Sequence, residues 1–427
     1  MLNADQVAPL SSAQETLLGK QDITRDSPGP ILRDVDTMLD LVGDDGLRVS
    51  ESRGAIYAKR LSEINARLTR SLEVDYQRLT QKAFPTIAGL NLLLRAAALV
   101  RVNREGTHPR MECNEEVVAS WRALNPTEQY MSLLEAWLNR ADERTIFEKS
   151  GTRPMTSLLE ILRFIQKIPP TGWDLDDRDR ESSLRYGPGS AGLALMWLFG
   201  LVDLEERGTE AGAPWKVDRI TLPAFGKTLL RRLGWAINEK GDATRNDPDD
   251  AWEWRPDIGP LELTRSDLQH VLQPFFPEWE RHLARPQTAF RADPHVFTVQ
   301  LYDQCRWRVV VPGTASLDAL SSCLLRAARF DRDHLYRFTY EDPYGHEQQV
   351  NDPRGYQEPP YADETQVGDL PLRPGAEMTY LYDFGDRWTF DLTLDAVGPG
   401  DVTADAPTIL EAEGEPPEQY PDPGERW

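Results

Sequence analysis

Two short acidic clusters carry the side chains best suited to chemistry: Asp331-Arg332-Asp333-His334 and, further on, Asp383-Phe384-Gly385-Asp386. Carboxylates joined by an imidazole could hold a divalent cation, and a cation lowers the pKa of a bound water for hydrolysis. That chemistry requires the two clusters to converge in space. The same residues also serve a structural reading, in which Asp331 and Asp386 bond backbone amides to hold turns and His334 plugs a core edge. Asp331, Asp333, His334, Asp383 and Asp386 therefore stand as candidate metal or ligand residues, with no catalytic set assigned.

Other catalytic patterns are missing from the sequence. Gly187-Pro188-Gly189-Ser190 lacks the lysine that a phosphate-cradling loop uses, and no Gly-x-Ser-x-Gly or His-Glu-x-x-His run occurs. Cys113, Cys305 and Cys323 are too scattered for a disulfide framework or a zinc ligand set. Ser11 and Ser12 lack the arginine-rich setting of a serine recombinase. No cofactor is expected.

The elements that must position the acidic clusters are legible around them. Tyr380 and Tyr382 alternate into the Phe384-Gly385-Asp386 reversal, and Trp388, Phe390, Leu392 and Leu394 alternate out of it. Period-two alternation about a Gly-centred turn predicts a β-hairpin with one buried face. Tyr336, Tyr380, Tyr382 and Trp388 could line a ligand groove that stacks bases or peptides. At strand spacing they equally make the sheet's buried face. Upstream, Val296–Tyr302 and Arg306–Val311 read as paired strands, Ser316 caps a helix through Ala328, and Leu335–Tyr340 reads as the next strand. This β-β-α-β start plus the hairpin predicts an α+β domain over 289–427, for which a grasp-like arrangement is one candidate. A Pro-rich irregular stretch is expected over 352–374, and the final thirty residues would add a strand at most.

The same residues carry a resemblance. Tyr380-Leu-Tyr382-Asp-Phe-Gly-Asp386-Arg-Trp388 is similar to the signature of the plasmid pRiA4b ORF-3-like family. Trp307-Arg308-Val309, Phe330–Tyr336 and Glu413–Pro421 agree with it, so the resemblance covers about residues 290–427. It implies a fold and a link to plasmids and mobile elements, and it implies no established activity. Many members place a His two residues after the Trp, where this chain has Phe390, and continue into a Cys- and Pro-rich tail, where it ends at Trp427.

Charge is segregated along the 427 residues. Residues 291–427 hold 26 acids against 11 Arg and no Lys, a balance of −15, while residues 47–110 hold 12 Lys and Arg against 5 acids, a balance of +7. Nucleic-acid binding needs a local positive face, not a positive total. The acidic domain should repel nucleic acid. The basic stretch, with Arg48, Arg53, Arg78 and Lys82 flanking Lys59, Arg60, Arg67 and Arg70, and with Arg101 and Arg104 on a wing, could attract it. Its other reading is a solvated face balanced by neighbouring acids.

Ahead of the acidic domain the pattern is mainly helical. Residues 1–30 read as a loose arm around the Ser27-Pro28-Gly29-Pro30 breaker. Over 31–150, helical spacing through Leu32, Ile64 and Leu93 is followed by a small hairpin, Leu99–Val102 with Arg110–Cys113. Asn125-Pro126-Thr127-Glu128 then predicts a capped helix start. Helices followed by a two-stranded wing suggest a winged-helix-like module. Residues 151–288 echo that layout without repeating its letters, with a surface loop over 236–260 and a helix around Leu268–Leu283.

The expected protein is multidomain: a mainly α-helical N-terminal part with winged-helix-like modules, then the α+β domain. Its expected role is non-enzymatic binding in the cytoplasm, to DNA through residues 47–110 or to a protein partner. The alternative is a metal-dependent hydrolase using the Asp/His cluster. No apolar stretch is long enough to span a bilayer, and the N-terminus does not read as a secretory signal.

Overall fold

The computed structural model describes residues 8–50, 54–72, 79–104, 108–141, 158–175, 187–206, 215, 217–245, 263–286, 289–302, 304–344, 346–355, 359–398 and 404–420. The chain forms two compact units, Met1–Arg285 and Pro286–Trp427, each with its own apolar core. Helices and antiparallel sheets make it a multidomain α+β protein. Among the described residues, no helix is long and apolar enough to cross a membrane.

The first unit opens with α1 (Ser12–Gly19), inside the stretch that reads as a loose arm. Ser11 and Gln14 form a reciprocal capping box, and Leu18 is fully buried. The Ser-Pro-Gly-Pro breaker is packed as well, because a Cβ on Gly29 would come within 2.2 Å of the Leu198 carbonyl oxygen. From residue 12 onward the arm is therefore tied down: the breaker marks a docked turn, not a free tail.

Next come α2 (Ile31–Val42), β1 (Leu47–Arg48), α3 (Ala58–Arg67), α4 (Pro85–Ala96), β2 (Val100–Asn103) and β3 (Arg110–Cys113). The strands form one antiparallel sheet in the order β1-β3-β2, with Leu47 opposite Met111 and Val100 opposite Cys113. In α2, Leu32, Val35, Leu39 and Val42 are buried, as the apolar spacing requires. Pro85 stands at the first turn of α4, where its missing N–H costs nothing, and every residue of that helix is buried. The chain then passes through Ala98 at φ +57 into the expected hairpin.

After α5 (Glu115–Ala123), α6 (Pro126–Arg140) starts at the expected cap. Asn125 Oδ1 accepts from Glu128 N–H at 2.9 Å, and Glu128 Oε2 accepts from Asn125 N–H at 2.9 Å. Then the layout recurs. α7 (Leu158–Ile165), β4 (Trp173–Asp174), α8 (Gly189–Leu198), β5 (Asp203–Glu206) and β6 (Val217–Thr221) give a second sheet in the order β4-β6-β5. Helices α4 and α8 pack face to face. Gly89 lets them approach closely: a Cβ there would meet the Ala191 carbonyl and Leu195 Cγ, each at 3.0 Å.

Two sequence expectations fail after β6. α9 (Ala224–Arg245) runs through the first ten residues read as surface loop, and 246–260 lie outside the described residues. Leu229, Leu230, Leu233 and Ile237 keep helical spacing and are buried, which outweighs the polar composition further on. Conversely, α10 (Arg265–Leu272) stops well short of Leu283. Pro274 and Pro277 remove amide donors and forbid helical continuation.

The second unit is built on one seven-stranded antiparallel sheet. Its elements are β7 (His295–Leu301), β8 (Cys305–Val311), α11 (Leu317–Ala328), β9 (Tyr336–Glu341), β10 (Glu347–Asn351), β11 (Glu377–Tyr382), β12 (Trp388–Val397) and β13 (Thr408–Glu413). The strand order is β10-β9-β11-β12-β7-β8-β13. The β-β-α-β start and the β11–β12 hairpin lie where the alternation puts them, with Tyr380 opposite Phe390 and Tyr382 opposite Trp388. Helix α11 starts at Ser316, whose hydroxyl accepts from Ala319 N–H, and buries Leu320, Leu324 and Ala328 in the same core as Phe297, Phe338 and Tyr380. β10 is a strand that the sequence reading does not anticipate, and β13 is the single late strand it allows.

Candidate functional site

The turn between β11 and β12 is held by Asp383 itself. Its Oδ1 accepts the N–H of Gly385 at 2.8 Å and lies 3.4 Å from that of Asp386. Asp383 and Arg387, not Gly385, take the left-handed conformation, at φ +57 and +59. Gly385 serves by its small size, since a Cβ there would press on Asp383 Oδ1 at 3.2 Å. Asp383 also donates its N–H to Leu335 O at 3.0 Å, tying the turn to the loop before β9.

That loop brings His334 to the turn. His334 Nε2 lies 3.4 Å from Asp383 Oδ2 and 3.7 Å from Asp333 Oδ1, so one imidazole bridges both acidic clusters. Tyr420 donates to Asp333 Oδ2 at 2.8 Å and lies 3.3 Å from His334 Nε2. Tyr382 Oη is 3.0 Å from Asp333 Oδ1, and its hydroxyl also bonds Asp331 O. Gln419 Oε1 accepts the Asp331 N–H at 2.6 Å. Asp333, His334 and Asp383 thus converge. Asp331 and Asp386 contribute backbone groups, and their side chains stay exposed.

Behind the loop stands a buried anchor. Asp352, almost fully buried, accepts from Arg354, whose guanidinium also donates to Arg332 O at 3.0 Å and His334 O at 2.6 Å. Arg332 turns away to Asp318, which also receives the Tyr336 hydroxyl. Burial alone would raise the Asp318 carboxyl, but these two partners hold it below the ordinary range. At the rim, the Tyr420 hydrogen bond lowers Asp333, and the same bond pushes Tyr420 up to about 12. At neutral pH this end of the sheet presents ionised carboxylates and protonated phenols.

Among the described residues, no group of three or more His, Cys, Asp or Glu has the arrangement to hold a metal ion. The side chains at this centre are spent on one another. Of the candidate groove aromatics, Tyr336, Tyr380 and Tyr382 are completely buried, with Tyr380 bonded to Ser321 Oγ at 2.7 Å. They are core. Trp388 is half-buried, edge-on to Phe330 at 4.8 Å.

The basic stretch of the first unit is less free than its charge count suggests. Lys59 and Arg67 are exposed on α3. Arg60 lies 3.3 Å from Glu63, and Arg101 lies 3.6 Å from Glu112. Arg70 pairs with Glu206 at 3.2 Å and covers the Trp197 ring at 5.1 Å, which commits it to the second sheet and α8. Arg104 is half-exposed, and Arg53 and Arg78 lie outside the described residues.

Sequence reasoning missed Tyr420, Gln419, Arg354 and Asp352. Tyr420 and Gln419 had a signal, since they fall inside the late Glu413–Pro421 stretch that carries the resemblance. Arg354 and Asp352 had none, because the two carbonyls that Arg354 holds, Arg332 O and His334 O, lie twenty or more residues before it.

The second unit is an α+β module with helix α11 sharing the core of a seven-stranded antiparallel sheet. Residues 297–423, the C-terminal third of the chain, match the plasmid pRiA4b ORF-3-like protein family. A stretch of 119 residues is 34% identical to the uncharacterized protein y4hQ of Sinorhizobium fredii (strain NBRC 101917 / NGR234), covering 27% of this chain and 59% of that protein. The chain thus spans less than two thirds of that relative. The crystal structure of a protein of unknown function from Methanosarcina mazei Go1 aligns with 30% of this chain and 72% of its own at 17% identity, with a TM-score of 0.26.

Proposed function

We propose that this chain is a non-enzymatic, cytoplasmic binding protein that serves a protein partner and is linked to plasmids or mobile elements. In this reading α2-β1-α3-α4-β2-β3 and its echo are winged-helix-like modules, and the second unit is a grasp-like accessory domain. Support for the modules is that in each a helix leads into a pair of antiparallel strands, with the first strand pairing the third in each sheet. Support for the grasp-like reading is the β-β-α-β opening with a single helix on the sheet. The plasmid link rests on the family matched by residues 297–423.

One observation carries the choice of a protein partner over DNA. In helix-turn-helix-derived modules the helix before the wing enters the major groove. That helix is α4 in the first module and α8 in the second, and each is buried against the other. Exposing them would uncover Ile87, Leu90, Leu94 and Leu195, at about 1.5–3 kcal/mol per side chain. Duplex binding would be left to Lys59, Arg67 and the wing. Electrophoretic mobility shifts with random duplex DNA at low salt test this. The expected result is no discrete shift, unchanged by K59E/R67E. A shift that the double variant abolishes would restore the DNA reading.

The convergence of Asp333, His334 and Asp383 favours the metal-dependent hydrolase as a second reading. It requires the imidazole and carboxylates to part and admit a cation at roughly 2–2.6 Å. Calorimetric titration with Mn2+ and Zn2+ separates the readings. The binding-protein reading expects no saturable heat. Tight binding lost in H334A and D383A would favour the hydrolase.

A further inference from the structure

We propose that the hairpin end of the second unit is the docking surface for an arginine- and lysine-rich segment of a protein partner, an inference that rests on the protein-partner reading above. Six large apolar or aromatic side chains are exposed among the described residues, and three of them gather at this end: Tyr302 at 46%, Phe384 at 38% and Tyr420 at 52%. Exposed aromatics gathered in one place mark interaction sites, whereas scattered ones need no explanation.

The three rings belong to separate segments that reach the same end of the sheet. Tyr302, in the β7–β8 turn, tilts onto Trp388 at 5.9 Å, and its hydroxyl lies 3.4 Å from Arg387 O. Phe384 forms the tip of the β11–β12 turn. Tyr420 comes from the segment after β13 and lies 6.4 Å from the His334 ring. The same end carries Asp331, Asp333 and Asp386, all exposed.

Charge chooses the guest. Residues 291–427 carry a balance of −15 with no lysine, so the surrounding field draws cations and repels nucleic acid. Most local arginines are occupied: Arg332 by Asp318, Arg354 by Asp352 and two carbonyls, and Arg337 by the Phe384 ring and Gln349. Arg387 is the exposed basic side chain within the turn. The guanidinium of Arg337, 5.2 Å from the Phe384 ring centre, is an internal example of the expected contact. Aromatic faces beside ionised carboxylates bind guanidinium and ammonium groups by cation–π attraction together with charge-assisted hydrogen bonds. A neutral apolar guest would desolvate these carboxylates without supplying a charge to offset the cost.

The test is fluorescence anisotropy of the full chain with a labelled peptide of alternating Arg and Ser, against the same peptide with Glu for Arg. Saturable binding of the Arg peptide alone is expected. Y302A/F384A and D333N/D386N should each weaken it at least tenfold. E347Q/E377Q, which removes as much charge from exposed positions at the other end of the sheet, should leave it unchanged. Thermal melting of each variant checks that the unit stays folded; Y302L and F384L replace any variant that does not. Unsaturable binding, or equal weakening by E347Q/E377Q, would overturn the proposal. DNA binding in the mobility-shift experiment would sink the protein-partner reading and leave this peptide result standing, so the two failures are distinguishable.

Discussion

Glu135 shows how much of this molecule depends on single buried charges. It is 2% exposed and faces Arg140 at 2.6 Å, Arg285 at 2.7 Å and Arg265 at 3.7 Å. Burial alone would raise its carboxyl, yet the three guanidiniums hold it below the ordinary 4.5. A depressed carboxyl stabilises the fold above its unfolded value, and that contribution is lost as pH falls through the folded value. E135Q should therefore cost about 3 kcal/mol at pH 7, the low end for breaking a buried pair because Arg285 is substantially exposed. Chemical denaturation should find that deficit shrinking as pH falls from about 4.5, where the unfolded carboxyl protonates, through the lower folded value, where the native one does. At the hairpin, D383A removes an acceptor for turn amides and places Ala at φ +57, so a loss of about 1–3 kcal/mol is expected in denaturant melts. D383N should lose less, since Asn accepts the same bonds and tolerates that backbone. Asp383 and Asp386 were legible as turn residues because Asp beside Gly marks a turn, whereas the meeting of His334 with Asp383 was not, because no local pattern links the two loops. Arg354 was not, because its value lies in carbonyls that only the folded loop brings to it.

At the scale of elements, the β11–β12 hairpin, the opening strands, the Asn125 cap and the two strand pairs β2–β3 and β5–β6 were legible, since each follows from local periodicity or turn chemistry. Errors came where packing overrode composition. Residues 12–30 look loose but dock, and α9 continues through a stretch whose polar residues suggest a loop. Pro274 and Pro277 end α10 early, although apolar residues continue beyond it. The contact between α4 and α8 left no local trace beyond Gly89. Replacing Gly89 by Val should test it, because the Ala191 carbonyl, 3.0 Å from where a Cβ would stand, cannot yield as a side chain would. Overpacking of this kind typically costs about 1–3 kcal/mol, readable as a lower melting temperature of the first unit.

For the whole molecule, the segregation of cores predicts segregation of folding. No residue of either core cluster crosses Arg285, so a fragment starting at Pro286 should fold cooperatively when expressed alone. Two calorimetric transitions are expected in the full chain, and G89V should move only one of them. Segregated charge was legible from the sequence, but most of the acids on which its basic members are spent were not. The +7 stretch is partly spent on Glu63, Glu112 and Glu206, and the helices that would enter a groove are buried. Hydrogen exchange of the full chain, with and without excess random duplex DNA, tests the central claim most directly. Amides of residues 87–94 and 191–198 should be among the slowest to exchange and be unaffected by the duplex. Rapid exchange there, or protection that appears only when DNA is added, would contradict the account.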